Sequence, residues 1–483
     1  MITKTPDLLT AVPPRARTGP GRLPAVVFAG TLAVYLLWWA AFYPGLMSFD
    51  SVTYVWQVTT GNWRADHSVL YDGLVWSSLK LTGDLALLTL GQAVAAAAAL
   101  GSLATAIRGL RVPGRWTAAA AVAVAALPAT GCFVVTVWKD VPFSICAVAM
   151  TATLIRLAGR RRSAALLVSL AFEVLGLALF RNNGFLFAAI AAVLAAVLLP
   201  GLRRRLTLAT ALPLALAFLL SAQVFPALGV QGVRPSLTYA TAYSDIAVTY
   251  ARLPSAFSRA DLRLMAKVAP LAHWSSTATC YNADPTLNNG FDAGRADELN
   301  DKLVALWLRI LKRAPDEVVG ARLCRGSIAW VVFPGGPQER ALIGSPNVPK
   351  DLYQWSLSGQ TMTYSPYRPI LTTRPLSRSL HNAAAFARAL TDIPQFEWLF
   401  WRGATWSYAG YLAVIAFAWS RRRRELLVAG AVVAGQQLGV LMAIPAQLFR
   451  YMAAPIMIGI MLVPLLVTAV ATALAQEKAR RTR

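Results

Sequence analysis

Runs of about 20 apolar residues recur along almost the whole chain, each bounded by an arginine cluster or a short polar corner. A helix of that length crosses a bilayer core of about 30 Å. The pattern predicts spans near 23–43, 84–107, 116–137, 141–158, 163–180, 185–200, 206–228, 399–420, 425–444 and 452–474. The expected fold is therefore all-α and polytopic, with about ten transmembrane helices. The first run is too long for a signal-peptide core and lacks a small-residue cleavage site, so it is expected to remain as an anchor.

One long stretch, residues 229–398, breaks the pattern. It exceeds the length of a plain loop and must hold structure of its own. Within 296–313, Ala296, Leu299, Leu303, Leu306, Trp307 and Ile310 recur at helical spacing, while the remainder is rich in Pro, Gly, Ser and Tyr. A mixed, mainly helical and irregular extracellular domain is expected there. Between the first two spans, Val69, Leu70, Leu74, Val75 and Leu79 predict an amphipathic helix over 66–82, lying at the membrane interface. The chain thus divides into a disordered lead-in (1–22), a transmembrane module (23–228) with a first external loop at 44–83, the 229–398 domain, C-terminal helices (399–474) and a basic tail (475–483). No internal repeat and no heptad pattern is visible.

Composition agrees with this picture: 57% of residues are hydrophobic and the mean hydropathy is +0.52. The formal charge of +24 would suit a nucleic-acid binder, but its placement excludes that reading. With the N-terminus inside, Lys4, Arg15, Arg17 and Arg22, then Arg108, Arg111 and Arg115, then Arg156 and Arg160 to Arg162 all fall on the cytoplasmic side. Arg203 to Arg205, Arg421 to Arg424 and the tail residues Lys478, Arg480, Arg481 and Arg483 join them. Every alternate short loop is basic, which satisfies the positive-inside rule at each step. The predominance of Arg over Lys and the abundance of Ala hint at a bacterial source, and hence at a plasma membrane with both termini cytoplasmic. Of the four cysteines, Cys132 and Cys146 fall within spans, whereas Cys280 and Cys324 share the 229–398 segment and are expected to pair if it is exported.

The same orientation places all the unusual polar helix ends on the opposite, extracytoplasmic face. These are Asp50 and His67 in the first external loop, the Trp138-Lys139-Asp140 corner, the Arg181-Asn182-Asn183-Gly184 corner and Arg450-Tyr451. Each has an ordinary reading. Asp50 suits the cap of a short helix from 51 to 60, and Asp140 a surface ion pair with Lys139. The Arg-Asn-Asn-Gly corner suits a tight turn in which Gly or Asn is left-handed, and Arg450 a side chain snorkelling to the interface. Glu173, inside the fifth span, suits a protonated carboxyl bonded between helices, although an intramembrane ionisable residue is a functional candidate by default. The convergence of five such corners on one face calls for a joint explanation.

The chemistry these residues suggest is sugar transfer from a polyprenyl-phosphate donor. Such a phosphate lies at the membrane surface, where Lys139, Arg181 and Arg450 offer cations and His67 stands nearby. A carboxylate within reach of an acceptor hydroxyl can take its proton during attack on the anomeric carbon, and the departing phosphate needs fixed positive charge. No GxxxxGK[ST] loop, HExxH site or GxSxG elbow is present.

Asp50 in the first external loop, followed by His67 and Leu70-Tyr71 ahead of the second span, resembles the GT-C superfamily of integral-membrane glycosyltransferases. The corners at 138–140, 181–184 and 450–451 are similar to motifs of GT-C-like bacterial membrane proteins. The resemblance covers roughly residues 35–200 and 445–460. It implies an inverting transfer to a cell-envelope glycan or lipid, with Asp50 as general base and Asp140 orienting the acceptor. It further implies Lys139, Arg181, Arg450 and His67 at the donor phosphate, and Asn182, Asn183, Tyr71 and Tyr451 against substrate. Familiar members carry an adjacent acidic pair where this chain has Phe49 and Ser51 around Asp50, so any divalent metal would rest on Asp50 with Asp140. Two other readings stand beside it: an oligosaccharide polymerase or ligase with essential arginines in 229–398, and a lipid or solute transporter (a flippase). Acceptor binding is the natural expectation for 229–398.

Overall fold

The structure is a computed structural model that describes residues 22–159, 163–335 and 357–482. The predicted lead-in, save for Arg22, and the arginines 160–162 lie outside the described residues. Among those described, the chain is helical with no strand, apart from three isolated bridges. Six helices are long and apolar enough to cross a membrane: α1 (Leu23–Ala41), Ala86–Arg108, Asp140–Gly159, Pro200–Ala227, Arg424–Ala443 and Ala453–Arg481. Two shorter apolar helices, Ala164–Phe180 and Gly184–Leu198, stand among them. The chain is a helical membrane protein.

The bundle is held by close approach rather than by bulk. Lipid tails are as apolar as the side chains, so helices associate through packing and through small residues that bring backbones together. In Ala86–Arg108 the inner face is Ala93, Ala96, Ala97, Leu100, Leu103 and Ala104, all fully buried against α1 and Asp140–Gly159. The tightest pair is Gly403–Ser420 against Ala453–Arg481, where Gly410 meets the backbone of Gly459.

The expected continuous span at 116–137 is instead two helices, Gly114–Ala126 and Pro128–Val134, meeting at 71°. Pro128 supplies no N–H to the preceding turn and excludes the helical conformation for Leu127, which is extended at ψ 126°. The shorter piece therefore turns across the bundle end, and residues 135–138 leave helical structure just before Lys139.

Residues 229–398 do not pack as one body. The helices between Ala240 and Arg325 share a separate core of Tyr243, Ile246, Met265, Trp274, Leu303, Leu306, Ile310 and Val318. The described part from 357 onward lies instead on the first helices. Leu376 N–H donates to Ala40 O (3.0 Å), His381 Nδ1 lies 3.0 Å from Ala41 O, and Arg374 pairs with Asp84. Helix Val69–Thr82 forms where an amphipathic helix was expected, with Tyr71, Asp72 and Val75 inward and Leu70, Leu74, Trp76 and Leu81 exposed.

A methyl group on Gly459 would lie 2.1 Å from Trp406 O, main-chain atoms that cannot swing aside. Gly459→Ala is expected to cost at least about 1–3 kcal/mol, read as a fall in unfolding temperature in detergent, whereas Gly73→Ala, with open space around it, should change little.

Candidate active site

Two loops are zipped together at one end of the bundle. Leu46 N–H donates to Val135 O and Val137 N–H to Leu46 O, both at 2.9 Å, and Ser51 Oγ donates to Val137 O at 2.9 Å. Trp138 Nε1–H adds a bond to Ser48 Oγ. Beneath them, Gln92 Nε2 donates to Val134 O and Thr136 O, each at 2.9 Å, while its Oε1 accepts from Tyr71 O–H at 2.9 Å. One buried amide thus satisfies two carbonyls left free where the helix Pro128–Val134 ends. Because both loops are fixed, so are the residues that follow them, Asp50 on one and Lys139-Asp140 on the other.

Asp50 is not the cap of its helix. The helix runs Phe49–Thr60 with Ser48 as N-cap, and the Ser51 hydroxyl accepts from Ser48 N–H at 2.9 Å. That reciprocal serine pair frees Asp50, in the first turn, to face Arg450. Arg450 arrives on the short turn Phe449–Tyr451 and donates Nη1–H to Asp50 Oδ2. The same nitrogen is 3.8 Å from Asp140 Oδ2, and Asp140 Oδ1 is 2.9 Å from Arg181 Nη1.

Four charges of alternating sign therefore form a file from Asp50 through Arg450 and Asp140 to Arg181. The outer pair is the more exposed: 15% and 16% for the Asp50 and Arg450 side chains, against 1% and 6% for Asp140 and Arg181. The Tyr451 ring sits between the two arginines, 4.4 Å from the Arg181 guanidinium carbon and 5.4 Å from that of Arg450. Phe143 and Phe187 enclose Arg181 further. Arg450 does not snorkel, Asp140 forms no pair with Lys139, and Arg181 is spent on Asp140 rather than free for a phosphate.

Lys139 is different. Its Nζ lies 3.2 Å from His67 Nδ1, and among the described residues it has no carboxylate within ion-pair distance. An ammonium only donates, so Nδ1 accepts and the His67 proton resides on Nε2. Burial and the Lys139 charge push His67 down to about 4, which keeps the ring neutral at pH 7. Burial also opposes the charged form of Asp50, but Arg450 above all more than reverses this and holds the carboxyl well below the usual range. A half-buried cation without an anion thus stands beside an ionised carboxylate.

The arrangement does not fit a divalent metal. Arg450 already lies between Asp50 and Asp140, and the described residues hold no group of three metal-ligating side chains.

Other expectations are corrected by geometry. Tyr71 is fully buried with its hydroxyl on Gln92, so it supports the loops and reaches no substrate. Asn182 Nδ2 donates to Ala65 O (2.9 Å) and Asp66 O (3.3 Å), and Asn183 Nδ2 to Ala443 O (3.2 Å). Both asparagines tie neighbouring segments together. No residue of the 181–184 corner is left-handed. Gly184 is needed for a different reason: a Cβ there would stand 1.9 Å from Leu177 O.

Sequence reasoning missed three residues here. Gln92 lies in an alanine-rich helix with nothing nearby to mark it. Tyr54 is fully buried, edge-on to His67 and Tyr71 at ring distances of 5.1 and 5.0 Å. Asp72 is buried with no hydrogen-bond partner for either oxygen among the described residues, and burial pushes its carboxyl well above the usual range. Its helical spacing from Tyr71 and Val75 was the available signal. In the 229–398 segment, Cys280 is joined to Cys324 in a disulfide with Cα atoms 5.7 Å apart. Comparison with known proteins finds no matching family, no matching curated sequence and no matching solved structure.

Two outcomes are expected. Arg181→Met strands the buried Asp140 charge and should cost about 3–5 kcal/mol, seen as a lower unfolding temperature in detergent, with most of the loss recovered on adding Asp140→Leu. His67 titrates near 6.5 when unfolded but near 4 when folded, so its neutral form contributes stability above pH 6.5 that is lost as pH falls towards 4. Unfolding temperatures of the wild type should decline across that window, and His67→Gln should flatten the decline.

Proposed function

We propose that the chain is a GT-C-type integral-membrane glycosyltransferase that moves a sugar from a polyprenyl-phosphate donor to a cell-envelope glycan or lipid, with inversion. The observation that carries this reading is the pairing of an ionised, solvent-reachable Asp50 with Lys139, a cation lacking a carboxylate partner, at one end of an apolar bundle. The acceptor hydroxyl attacks the anomeric carbon, the bond to the donor phosphate oxygen breaks, and the electron pair leaves with the phosphate. Lys139 stabilises that charge. Paired with Arg450, Asp50 is a weak base towards a free hydroxyl. The attacking oxygen becomes strongly acidic once its bond to carbon is advanced, and Asp50 takes the proton then. Arg450 and Arg181 position the carboxylates.

The ten-span topology belongs to the same reading, as do a bacterial plasma membrane, cytoplasmic termini, an extracytoplasmic site and an extracytoplasmic 229–398 segment. Six spans, one bent pair, two shorter apolar helices and Gly403–Ser420 make ten apolar helical elements, which supports it. Alternation of the basic loops supports the orientation. A polymerase or ligase relying on Arg322 or Arg325 of the 229–398 segment is less well supported, because both are bound to Asp245, at 2.6 and 2.8 Å.

Membranes holding the protein, supplied with a panel of labelled polyprenyl-phosphate sugars, should show transfer from one of them. Asp50→Asn should lower it by about 10²–10⁴-fold. Full transfer by the variant overturns Asp50 as base, and no transfer by the wild type from any donor overturns the reading in favour of transport.

A further inference from the structure

We propose that Gln447 is a positioning residue of the candidate site: its side chain fixes the turn that carries Arg450, so that the 229–398 segment sets how Arg450 meets Asp50. The inference concerns that ion pair and rests on the transferase reading only for its consequence in turnover.

Gln447 lies in the stretch between helix Ala431–Ala443 and the turn Phe449–Tyr451. Pro445 ends the helix by holding Ile444 extended, at ψ 144°, so the residues that follow have no helical partners. A glutamine in such a loop is ordinarily solvated, yet this one is 1% exposed. Its Oε1 accepts from Ser327 Oγ–H at 2.8 Å and from Arg402 Nη1–H at 3.4 Å, and its Nε2 donates to Cys324 O at 3.0 Å. Its main-chain N–H donates to Tyr281 O at 3.2 Å, close to the bond from Ala283 N–H to Pro445 O at 2.8 Å. Tyr281, Cys324 and Ser327 all belong to the 229–398 segment.

The segment offers a firm seat. The disulfide joins Cys280 to Cys324, so residues 281–283 and the carbonyl held by Gln447 stand on one support. The helix that carries Cys324, Pro315–Arg325, is anchored by Arg325, buried on Asp245 and Ser244 at 2.8 Å each. Arg322 ties the same helix to the bundle, donating Nη1–H to Met442 O at 2.9 Å. Main-chain pairing fixes 445–447 against 281–283 alone. The Gln447 amide adds the helix and, through Arg402, the head of Gly403–Ser420.

From Gln447 the chain runs directly into the turn. Tyr451 N–H donates to Leu448 O (3.0 Å) and Met452 N–H to Phe449 O (2.8 Å), so 448–452 moves as one unit. Its far end is held by a second buried amide, Gln436, whose Nε2 donates to Tyr451 O at 2.7 Å. Placement of this unit decides which carboxylate Arg450 serves. Nη1 is bonded to Asp50 and lies 3.8 Å from Asp140, so two acceptors compete for one nitrogen. Asp140, 1% exposed and 2.9 Å from Arg181, is not available for the acceptor role that the sequence suggested, but it is within reach of a displaced Arg450. A turn released from Gln447 lets the guanidinium slide inward and leaves Asp50 without its counter-charge.

The test uses full-length protein in nanodiscs and follows Asp50 by infrared pH titration, as the protonated-carboxyl stretch that Asp50→Asn removes. Gln447→Met keeps an unbranched side chain and removes the amide. Asp50 should then protonate about 1–3 pH units higher than in the wild type, the direction in which Arg450→Met serves as reference. Ser327→Ala removes a single donor and should act the same way to a smaller extent, and it carries the test if Gln447→Met does not fold. Arg313→Met, whose lost bonds are to Ala256 O and Asp261, loosens the segment elsewhere and should leave Asp50 unmoved. A titration indistinguishable from the wild type in whichever of the first two variants folds overturns the proposal. An equal shift in Arg313→Met overturns it too, by marking general loosening. Where transfer is measurable, the acid limb of its pH profile should rise in Gln447→Met in step with the infrared midpoint. Absence of any transfer by the wild type, with the infrared shift intact, overturns the transferase reading and leaves the positioning role standing.

Discussion

An apolar helix cannot break inside a bundle without leaving polar backbone groups that no lipid or side chain of the usual kind will satisfy. The segment around Pro128 breaks in this way: Val124 O and Ala125 O are taken by Thr130 and Trp38, and where the short helix Pro128–Val134 then ends, the carbonyls of 134–137 and the Val137 amide are left outside any helix. Each such group left unpaired in hydrocarbon costs several kcal/mol. The chain answers with Leu46, Ser51 and the amide of Gln92, and so ties the first loop to the corner at Lys139. The candidate site is what these two loops carry. Its geometry follows from satisfying that break rather than from the charged residues themselves.

The charges are arranged on that frame with a gradient of access. Two buried ions are tolerated only when paired and closely surrounded, and Asp140 with Arg181 meets this through Tyr451, Phe143 and Phe187. Arg450 then presents its remaining charge to Asp50, where water still reaches. The inner pair holds the outer one in register, and the outer pair stays ionised. Lys139 lies off this file, against a neutral imidazole rather than a carboxylate.

Much of this was legible in the sequence, and what was not has physical reasons. The apolar runs mark helices because the bilayer sets their length. Alternating basic loops foretold that Asp50, Lys139, Asp140, Arg181 and Arg450 would share one end, and they do meet there. Partner choice was illegible: nothing in the order of residues shows Asp140 turning from its neighbour Lys139 to Arg181. The asparagines of the 181–184 corner and Tyr71 looked like ligand-binding groups because type and position agree, yet each bonds another part of the chain. Pro128 did advertise a break, hidden inside an otherwise continuous apolar run.

Asp50 and Arg450 are separated by 400 residues, nearly the full length of the chain. A ribosome therefore delivers Asp50 into the membrane long before the arginine that governs its charge exists. During that interval the carboxylate faces a half-built bundle, in which Lys139 is present but the arginine that most opposes its protonation is not. Its acidity is consequently an attribute of the finished assembly, acquired at the last stage of insertion. A chain halted before its final helices would hold every residue of the first loop without the largest part of the loop's electrostatic character.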